Sequence, residues 1–176
     1  MTLIVTPGAL DANSYCTAAE GDAYHATHLY ASVWLAATVP NKEAALIWAT
    51  RLLDEQVDWK GDPSTFSQAL KWPRWGVYKD GSSGGYSYGW FMAYLSPDTI
   101  PQFLKNATAE LARYLLTEDR TVERSFGITS VKADTMQVDF DKRDVKPILP
   151  PSVKSIVDRY GSLRGPGSIT AKLERV

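Results

Sequence analysis

Residues 99–116 read TIPQFLKNATAELARYLL, and the prediction of the fold starts from this stretch. Its apolar residues recur at intervals of three and four, which places them on one face of an α-helix. They are Leu104, Ala107, Leu111 and Leu115. Pro101 suits the first helical turn, because the amide hydrogen that proline lacks would have had no partner there. The stretch predicts a helix with one buried face.

Two more helices are predicted on the N-terminal side. Thr17 stands three residues before Glu20, which is the spacing of a capping box and predicts a helix over 18–28. A second apolar series at helical spacing predicts a helix over 42–57, with Asn41 as its N-cap. Both segments are expected to pack against the helix that begins at Pro101.

The C-terminal third predicts a hairpin and a short helix. The residues from Ile128 to Phe140 alternate in polarity around a central turn, which is typical of a β-hairpin. A last helix is predicted from Pro150 or Pro151 to Gly161. The expected fold class is mainly α, a small helical bundle with a β-hairpin and an extended C-terminal arm. Its core is predicted to contain Leu46, Leu53, Leu104, Leu111, Leu115, Ile156 and Val157.

The chain divides into a body and an arm. Residues 1–160 are predicted to form one helical domain, with a long loop over 60–100 and the hairpin over 128–140. Residues 161–176 are predicted to form the arm, because Gly165, Pro166 and Gly167 prevent a helix from continuing. The alternating residues after that joint suit a strand added to the sheet of another chain.

The segment ALKWPRWG (69–76) leaves two interpretations open. Trp72, Arg74 and Trp75 are side chains on which the bases of a single strand could stack. The same residues could close a loop over the helical core. We expect Trp72 and Arg74 to fasten this loop, and the aromatic residues from Tyr78 to Tyr94 to make contacts with other subunits or proteins.

Charge and composition argue against a general nucleic-acid binder. The 176 residues carry a formal net charge of -1, whereas nonspecific DNA binders need a basic face. Residues 142–176 hold eight basic and three acidic residues, so the chain has an acidic body and a basic tail. The single cysteine, Cys16, fits a reducing compartment. No signal peptide and no membrane span are predicted.

Catalytic and metal-binding signals are sparse. Asp22, His25 and His28 could share a helix face and hold a metal or serve a small hydrolase, but partly exposed surface histidines are the preferred interpretation. The glycine-rich run GSSGGYSYG (81–89) lacks the ending of a P-loop. We therefore expect no enzyme activity, no cofactor and no metal.

Four segments together resemble a known family. They are ANSYCTAAEGDAYHA (12–26), KEAALIWATRLLD (42–54), ALKWPRWGVYKDG (69–81) and TIPQFLKNATAELARYLL (99–116). In this order they resemble tailed-phage proteins that are often labelled DnaT-like single-stranded-DNA-binding proteins. The family is also similar in size and helical layout to head-tail connector (adaptor) proteins, although it typically lacks the interposed GSSGGYSYGWFMAYLS.

The connector resemblance implies a virion structural protein, assembled in the host cytoplasm, that joins capsid to tail during head completion. Such proteins typically form a twelve-fold, homo-oligomeric ring under the portal, contact tail or tail-completion proteins, and line a channel for DNA during genome packaging and ejection. DNA would pass without specific binding, and no membrane would be involved. The alternative is a phage single-stranded-DNA-binding accessory protein.

Under the connector hypothesis three groups of residues receive roles. The portal-binding arm would use Arg164, Ile169, Ala171, Lys172, Leu173 and Arg175. The subunit or tail interface would use Tyr78, Tyr86, Tyr88, Trp90 and Phe91. Channel-lining carboxylates would come from Asp54, Glu55, Asp58, Glu118, Asp119 and Glu123, because like charge keeps DNA from adhering.

Overall fold

The computed structural model describes residues 2–79, 94–121, 130–133, 136–139 and 147–164 of the protein. Within them lie the helices α1 (Ala18–His25), α2 (Ser32–Ala36), α3 (Val39–Gln56), α4 (Gln102–Leu115) and α5 (Pro151–Val157). The strands are β1 (Val57–Trp59), β2 (Asp62–Pro63), β3 (Arg74–Trp75), β4 (Ser130–Ala133), β5 (Met136–Asp139) and β6 (Gly161–Leu163). No helix in these ranges has the length and apolarity needed to cross a bilayer.

Helix α4 occupies the centre of the molecule. It packs against α1, α3 and α5, and Leu104 and Leu111 are fully buried on it. The predicted core is confirmed, since Leu46, Leu53 and Val157 are also fully buried while Leu115 and Ile156 are partly buried against the core. Because helices surround it, all of residues 107–112 are buried, including Thr108 and Glu110, so the prediction of one buried face understates the burial of α4.

The start of α1 is the one that the sequence predicts. Thr17 Oγ1 accepts a 3.1 Å hydrogen bond from the Glu20 amide, and Glu20 Oε2 accepts a 2.9 Å bond from the Thr17 amide. This is the predicted capping box. The helix ends at His25 instead of His28.

Other helix boundaries also differ from the prediction, and one helix was not predicted. Helix α5 ends at Val157, short of Gly161, and Pro101 is the N-cap of α4 instead of a residue of its first turn. Thr38 is the N-cap of α3, with an extended backbone of φ -69° and ψ 155°. Pro40 then lies in the first helical turn, where it needs no amide partner, so the prediction of Asn41 as N-cap is wrong. Helix α2 is too short for an apolar periodicity to reveal it.

The strands form three antiparallel pairs, β1 with β6, β2 with β3, and β4 with β5. The pair β4–β5 aligns Ser130 with Asp139 and confirms the predicted hairpin. The architecture is therefore mixed and helix-rich, and the predicted mainly α bundle holds only in this coarser sense.

The predicted arm begins too early. Val57 is aligned with Leu163 and Trp59 with Gly161, so β6 completes a two-stranded sheet with β1. A Cβ atom on Gly161 would lie 2.5 Å from Val57 Cγ1, which shows how closely the two strands approach. Residues 161–164 thus belong to the body, and residues 165–176 lie outside the described residues.

Candidate functional site

The indole of Trp72 lies in the core and is unavailable to a ligand. It is fully buried, and its ring packs edge-on against Trp59 at 5.7 Å and Phe103 at 5.5 Å between centroids. Aromatic pairs of this geometry stabilise a core beyond the area that they bury. The prediction that Trp72 fastens its loop to the core is confirmed.

Arg74 is also a structural fastener. Its buried guanidinium donates to the backbone carbonyls of Lys60 at 2.8 Å and Lys71 at 3.1 Å, and also contacts those of Trp59 and Gly61. Burial lowers the pKa of Arg74, an effect opposed by the charge of Asp62. Because the donors point at the backbone, Arg74 joins residues 59–61 to the turn before β3 and does not face solvent.

Asp54 secures the same loop and faces the interior. Its carboxylate accepts a 2.6 Å hydrogen bond from the Tyr15 phenol and a 3.1 Å bond from the Lys71 amide. Burial raises the pKa of the Asp54 carboxyl above its ordinary 3.8. Both Asp54 oxygens are thus engaged by groups of the same chain, and its predicted channel-lining role stays untested.

Trp75 differs from its neighbours because its indole is 56% exposed. It lies on β3 opposite Asp62, between the buried Arg74 and a left-handed Gly76 with φ 73°. That turn lets Val77 re-enter the core. The backbone of β3 thus holds a tryptophan ring outside the core while the residues around it are anchored.

Three cationic residues meet at Tyr160, and we call Tyr160 with Lys60, Lys79 and Arg159 the Tyr160 cluster. The Lys60 amide donates to the Tyr160 carbonyl at 2.9 Å, and the Lys60 ammonium donates to the Arg159 carbonyl at 2.8 Å. The Tyr160 phenol donates to the Lys79 carbonyl at 2.8 Å. Residues far apart in sequence are thus joined around Tyr160, and Lys79 and Arg159 are exposed there.

The Tyr160 cluster is attached to the core, and the residue after Lys60 approaches the backbone of Trp75. The Tyr160 ring stacks on Phe103 with centroids 3.7 Å apart, and Phe103 in turn contacts Trp72. Lys60 is the residue immediately before Gly61, whose Cβ position would fall 2.0 Å from the Trp75 carbonyl oxygen. An exposed indole and exposed cations are therefore carried by backbone segments that contact each other, and aromatic rings together with cations are what single strands bind.

Acidic residues nearby reduce the positive charge around the Tyr160 cluster. Asp58 and Arg164 form an exposed ion pair of 2.7 Å across β1 and β6, and the Arg164 contact lowers the pKa of Asp58. Asp62 and Asp158 are exposed on the adjoining segments. Arg164, predicted to belong to the portal-binding arm, is thus part of the body and is neutralised by Asp58.

A tyrosine pair links the two described segments that flank residues 80–93. Tyr78 and Tyr94 form a β-bridge, their hydroxyls are 2.9 Å apart, and the Leu95 amide donates to the Val77 carbonyl at 2.8 Å. Lys79 of the Tyr160 cluster is the residue after Tyr78. The other predicted interface residues, Tyr86, Tyr88, Trp90 and Phe91, lie outside the described residues.

The remaining predicted site residues are scattered or lie beyond the described ranges. Glu55 and Asp58 are exposed near the end of α3 and on β1, whereas Glu118 pairs with Arg120 and Asp119 accepts from Thr121 after α4. Outside the described residues lie Glu123, Ile169, Ala171, Lys172, Leu173 and Arg175. The structure thus leaves their predicted roles untested.

The histidines do not form a metal site. His25 is fully buried and its Nε2 lies 3.0 Å from the Ala109 carbonyl oxygen, so the expectation of a surface histidine is wrong there. Burial lowers the pKa of His25. His28 Nε2 lies 3.7 Å from Glu110 Oε2. Across the ranges that the structure describes, no three potential ligand side chains are grouped for a metal.

Sequence reasoning missed the Tyr160 cluster. Lys60, Lys79 and Arg159 occur singly and follow no motif. The pairing of β1 with β6 brings Lys60 to Tyr160, and the Tyr160 phenol reaches the Lys79 carbonyl. Local patterns cannot report such a contact between distant segments.

A family model described as "Putative DnaT-like ssDNA binding protein" matches residues 1–176, the whole chain. No curated protein and no solved structure matches the chain. The prediction of a head-tail connector is wrong on this finding, which supports the single-stranded-DNA-binding alternative. The formal net charge of -1 is a weak guide in this respect, because a sum over the chain does not show how its charges are distributed.

Proposed function

Since the chain belongs to this DnaT-like family, we propose that it binds single-stranded DNA through Trp75 and the Tyr160 cluster. The observation that carries the proposal is the family match over all 176 residues. The position of the interface is inferred from the exposed indole and its neighbouring cations. This role requires no catalytic residue and no cofactor.

Stacking on Trp75 is the main source of affinity in this proposal. A base stacked on an aromatic side chain contributes about 1–3 kcal/mol and does so for any base. The indole stays exposed in the free protein, and β3 and Arg74 hold its backbone in place. A preorganised ring loses little freedom on binding. Unpaired bases offer the faces that such a ring needs, whereas bases inside a duplex do not.

The cations would contact the phosphates next to the stacked base. Lys60, Lys79 and Arg159 supply at most three such contacts, and each phosphate contact on a single strand contributes about -0.7 to the slope of log K against log salt. We therefore expect a slope no steeper than about -2. This modest salt dependence agrees with the formal net charge of -1.

The test compares two exposed tryptophans. Trp75→Ala removes the proposed stacking ring, while Trp48→Ala removes an indole that is 40% exposed on α3 beside Arg51. Binding of a labelled oligothymidylate is followed by fluorescence anisotropy at low salt. Trp75→Ala should weaken binding by roughly tenfold or more, and Trp48→Ala should leave it unchanged.

Two results would overturn the proposal at different levels. If the wild-type protein does not bind the oligonucleotide at low salt, the proposed function is wrong. If it binds, and Trp48→Ala weakens binding while Trp75→Ala does not, the function stands but the interface lies on α3.

A further inference from the structure

The hairpin of β2 and β3 that carries Trp75 holds a second exposed aromatic ring. Phe66 lies in the loop between the two strands and is fully exposed, so no other described residue covers its ring. A phenylalanine side chain stabilises a fold only through the apolar area that it buries. The fold itself therefore gives no reason for a phenyl ring at this position.

The backbone around Phe66 is held by hydrogen bonds. The Thr65 amide donates to Gln68 Oε1 at 3.0 Å, so the Gln68 side chain closes the turn that contains Phe66. Gln68 Nε2 donates to the carbonyl oxygens of Leu70 at 2.7 Å and Pro73 at 3.1 Å. The ring is thus presented by a preorganised loop, and little backbone freedom is lost when a ligand binds to it.

Phe66 and Trp75 lie close enough for one ligand to contact both. The Ser64 amide donates to the Pro73 carbonyl at 3.1 Å, which extends the pairing of β2 with β3 towards the loop. Phe66 lies two residues after Ser64. Trp75 lies two residues after Pro73, and two residues span at most about 7 Å. With paired residues about 5.5 Å apart, the Cα atoms of Phe66 and Trp75 are separated by at most about 20 Å.

The surroundings of Phe66 suit a nucleobase better than an apolar protein surface. Its neighbours Thr65 and Ser67 are exposed, so hydroxyl groups flank the ring, whereas the core of a protein interface is apolar. A base offers an aromatic face that stacks on a phenyl ring and polar edges that bond to hydroxyl groups. Residues 63–70 contain no Asp, Glu, Lys or Arg. The loop therefore matches a base and not a phosphate, which would call for a cation.

We propose that Phe66 is a second stacking site for the DNA strand that stacks on Trp75. This inference rests on the proposed function and specifies its ligand, a single strand long enough to place two unpaired bases on the hairpin of β2 and β3. Once one base is stacked, the second contact is made within the same complex and adds affinity efficiently. Bases in a duplex are stacked on each other and cannot occupy the two rings.

Binding of labelled oligothymidylates of about 4 to about 16 nucleotides tests the inference. Fluorescence anisotropy at low salt compares the wild type with Phe66→Ala, which should bind the longest oligonucleotide about fivefold or more weakly. The wild type should also gain more affinity from added length than Phe66→Ala does, because only the wild type has a second ring for a longer strand to reach. Phe66→Trp should keep the wild-type affinity. Phe66→Leu should not, since leucine has apolar area but no aromatic face.

The matched control is Tyr30→Ala, since the Tyr30 ring is 77% exposed but lies between α1 and α2. It should bind like the wild type, and circular dichroism should show that all variants are folded. If Trp75→Ala weakens binding while Phe66→Ala binds the longest oligonucleotide as tightly as the wild type, the inference is wrong and the proposed function stands. An equal loss in Tyr30→Ala would also overturn the inference. If the wild type does not bind at all, the proposed function fails and this inference fails with it.

Discussion

The phenol of Tyr15 donates a 2.6 Å hydrogen bond to Asp54 Oδ1 and thereby joins the segment before α1 to the last turns of α3. The same phenol oxygen accepts a 3.3 Å bond from the Trp72 amide, and the Lys71 amide donates to the other Asp54 oxygen. Two buried polar groups thus hold the turn from which Arg74 and Trp75 extend. The position of the exposed Trp75 therefore depends on the buried hydrogen bonds that Tyr15 and Asp54 make to this turn.

Tyr15→Phe should destabilise the protein by about 1–3 kcal/mol, because it leaves a buried carboxylate and a buried amide without a shared partner. Urea denaturation measures the change. Tyr30→Phe, at an exposed ring, serves as the control and should change stability by less than about 0.5 kcal/mol. Equal effects of the two substitutions would show that the buried hydroxyl has no special role.

Asp54 should make stability depend on pH in an unusual direction. Burial raises the pKa of Asp54 in the folded protein above 3.8, so the folded state binds its proton more tightly than the unfolded state does. The Asp54 contribution to stability therefore grows as pH falls through the folded pKa towards 3.8 and is lost as pH rises. Denaturation of the wild type and of Asp54→Asn at a series of pH values isolates this contribution. The stability of the wild type minus that of Asp54→Asn should rise as pH falls, and a fall in this quantity would contradict the raised pKa.

Arg74→Lys should weaken DNA binding without changing its salt dependence. A lysine ammonium cannot make the several carbonyl contacts of the guanidinium, so Lys60 and Trp75 would lose their relative position. Because Arg74 does not face solvent, no phosphate contact is lost. The slope of log K against log salt should stay at the wild-type value.

Arg159→Gln is the comparison for that measurement, since it removes an exposed cation of the Tyr160 cluster. It should make the slope shallower by about 0.7. If Arg74→Lys changes the slope by as much, Arg74 contacts phosphate directly and the positioning role is wrong.

Gly61 and Gly76 should differ in their tolerance of alanine although both have left-handed backbones, with φ of 70° and 73°. At Gly76 the Cβ position is open, so Gly76→Ala should cost only the conformational strain of about 1–2 kcal/mol. At Gly61 the added atom would fall 2.0 Å from the Trp75 carbonyl oxygen. Thermal and urea denaturation should show a larger loss for Gly61→Ala, about 3–5 kcal/mol, and equal losses would count against this close contact.

Leu111→Ala should cost about 2–5 kcal/mol, because Leu111 is fully buried on α4 and its removal leaves a cavity. Leu10→Ala, at an exposed position, is the control. A loss below about 0.5 kcal/mol for Leu111→Ala would mean that α4 presents a different face to the core.

Local patterns were sufficient where an element is specified by its own residues. The apolar series of α4, the Thr17 and Glu20 capping box and the hairpin of β4 and β5 all follow from interactions within a few residues along the chain. The family resemblance could likewise be recognised from four short segments that occur in a characteristic order along the chain. The connector role inferred from that resemblance was wrong.

Tertiary structure alone decided which of several similar side chains face solvent. Trp72 and Trp75 are three residues apart in one aromatic stretch, yet packing against Trp59 and Phe103 buries the first and leaves the second exposed. The sequence predicts Asp54 to be a surface carboxylate, whereas in the fold its oxygens accept hydrogen bonds from Tyr15 and Lys71. The Tyr160 cluster exists because β6 pairs with β1, and the sequence near each residue carries no information about a partner that lies about a hundred positions away.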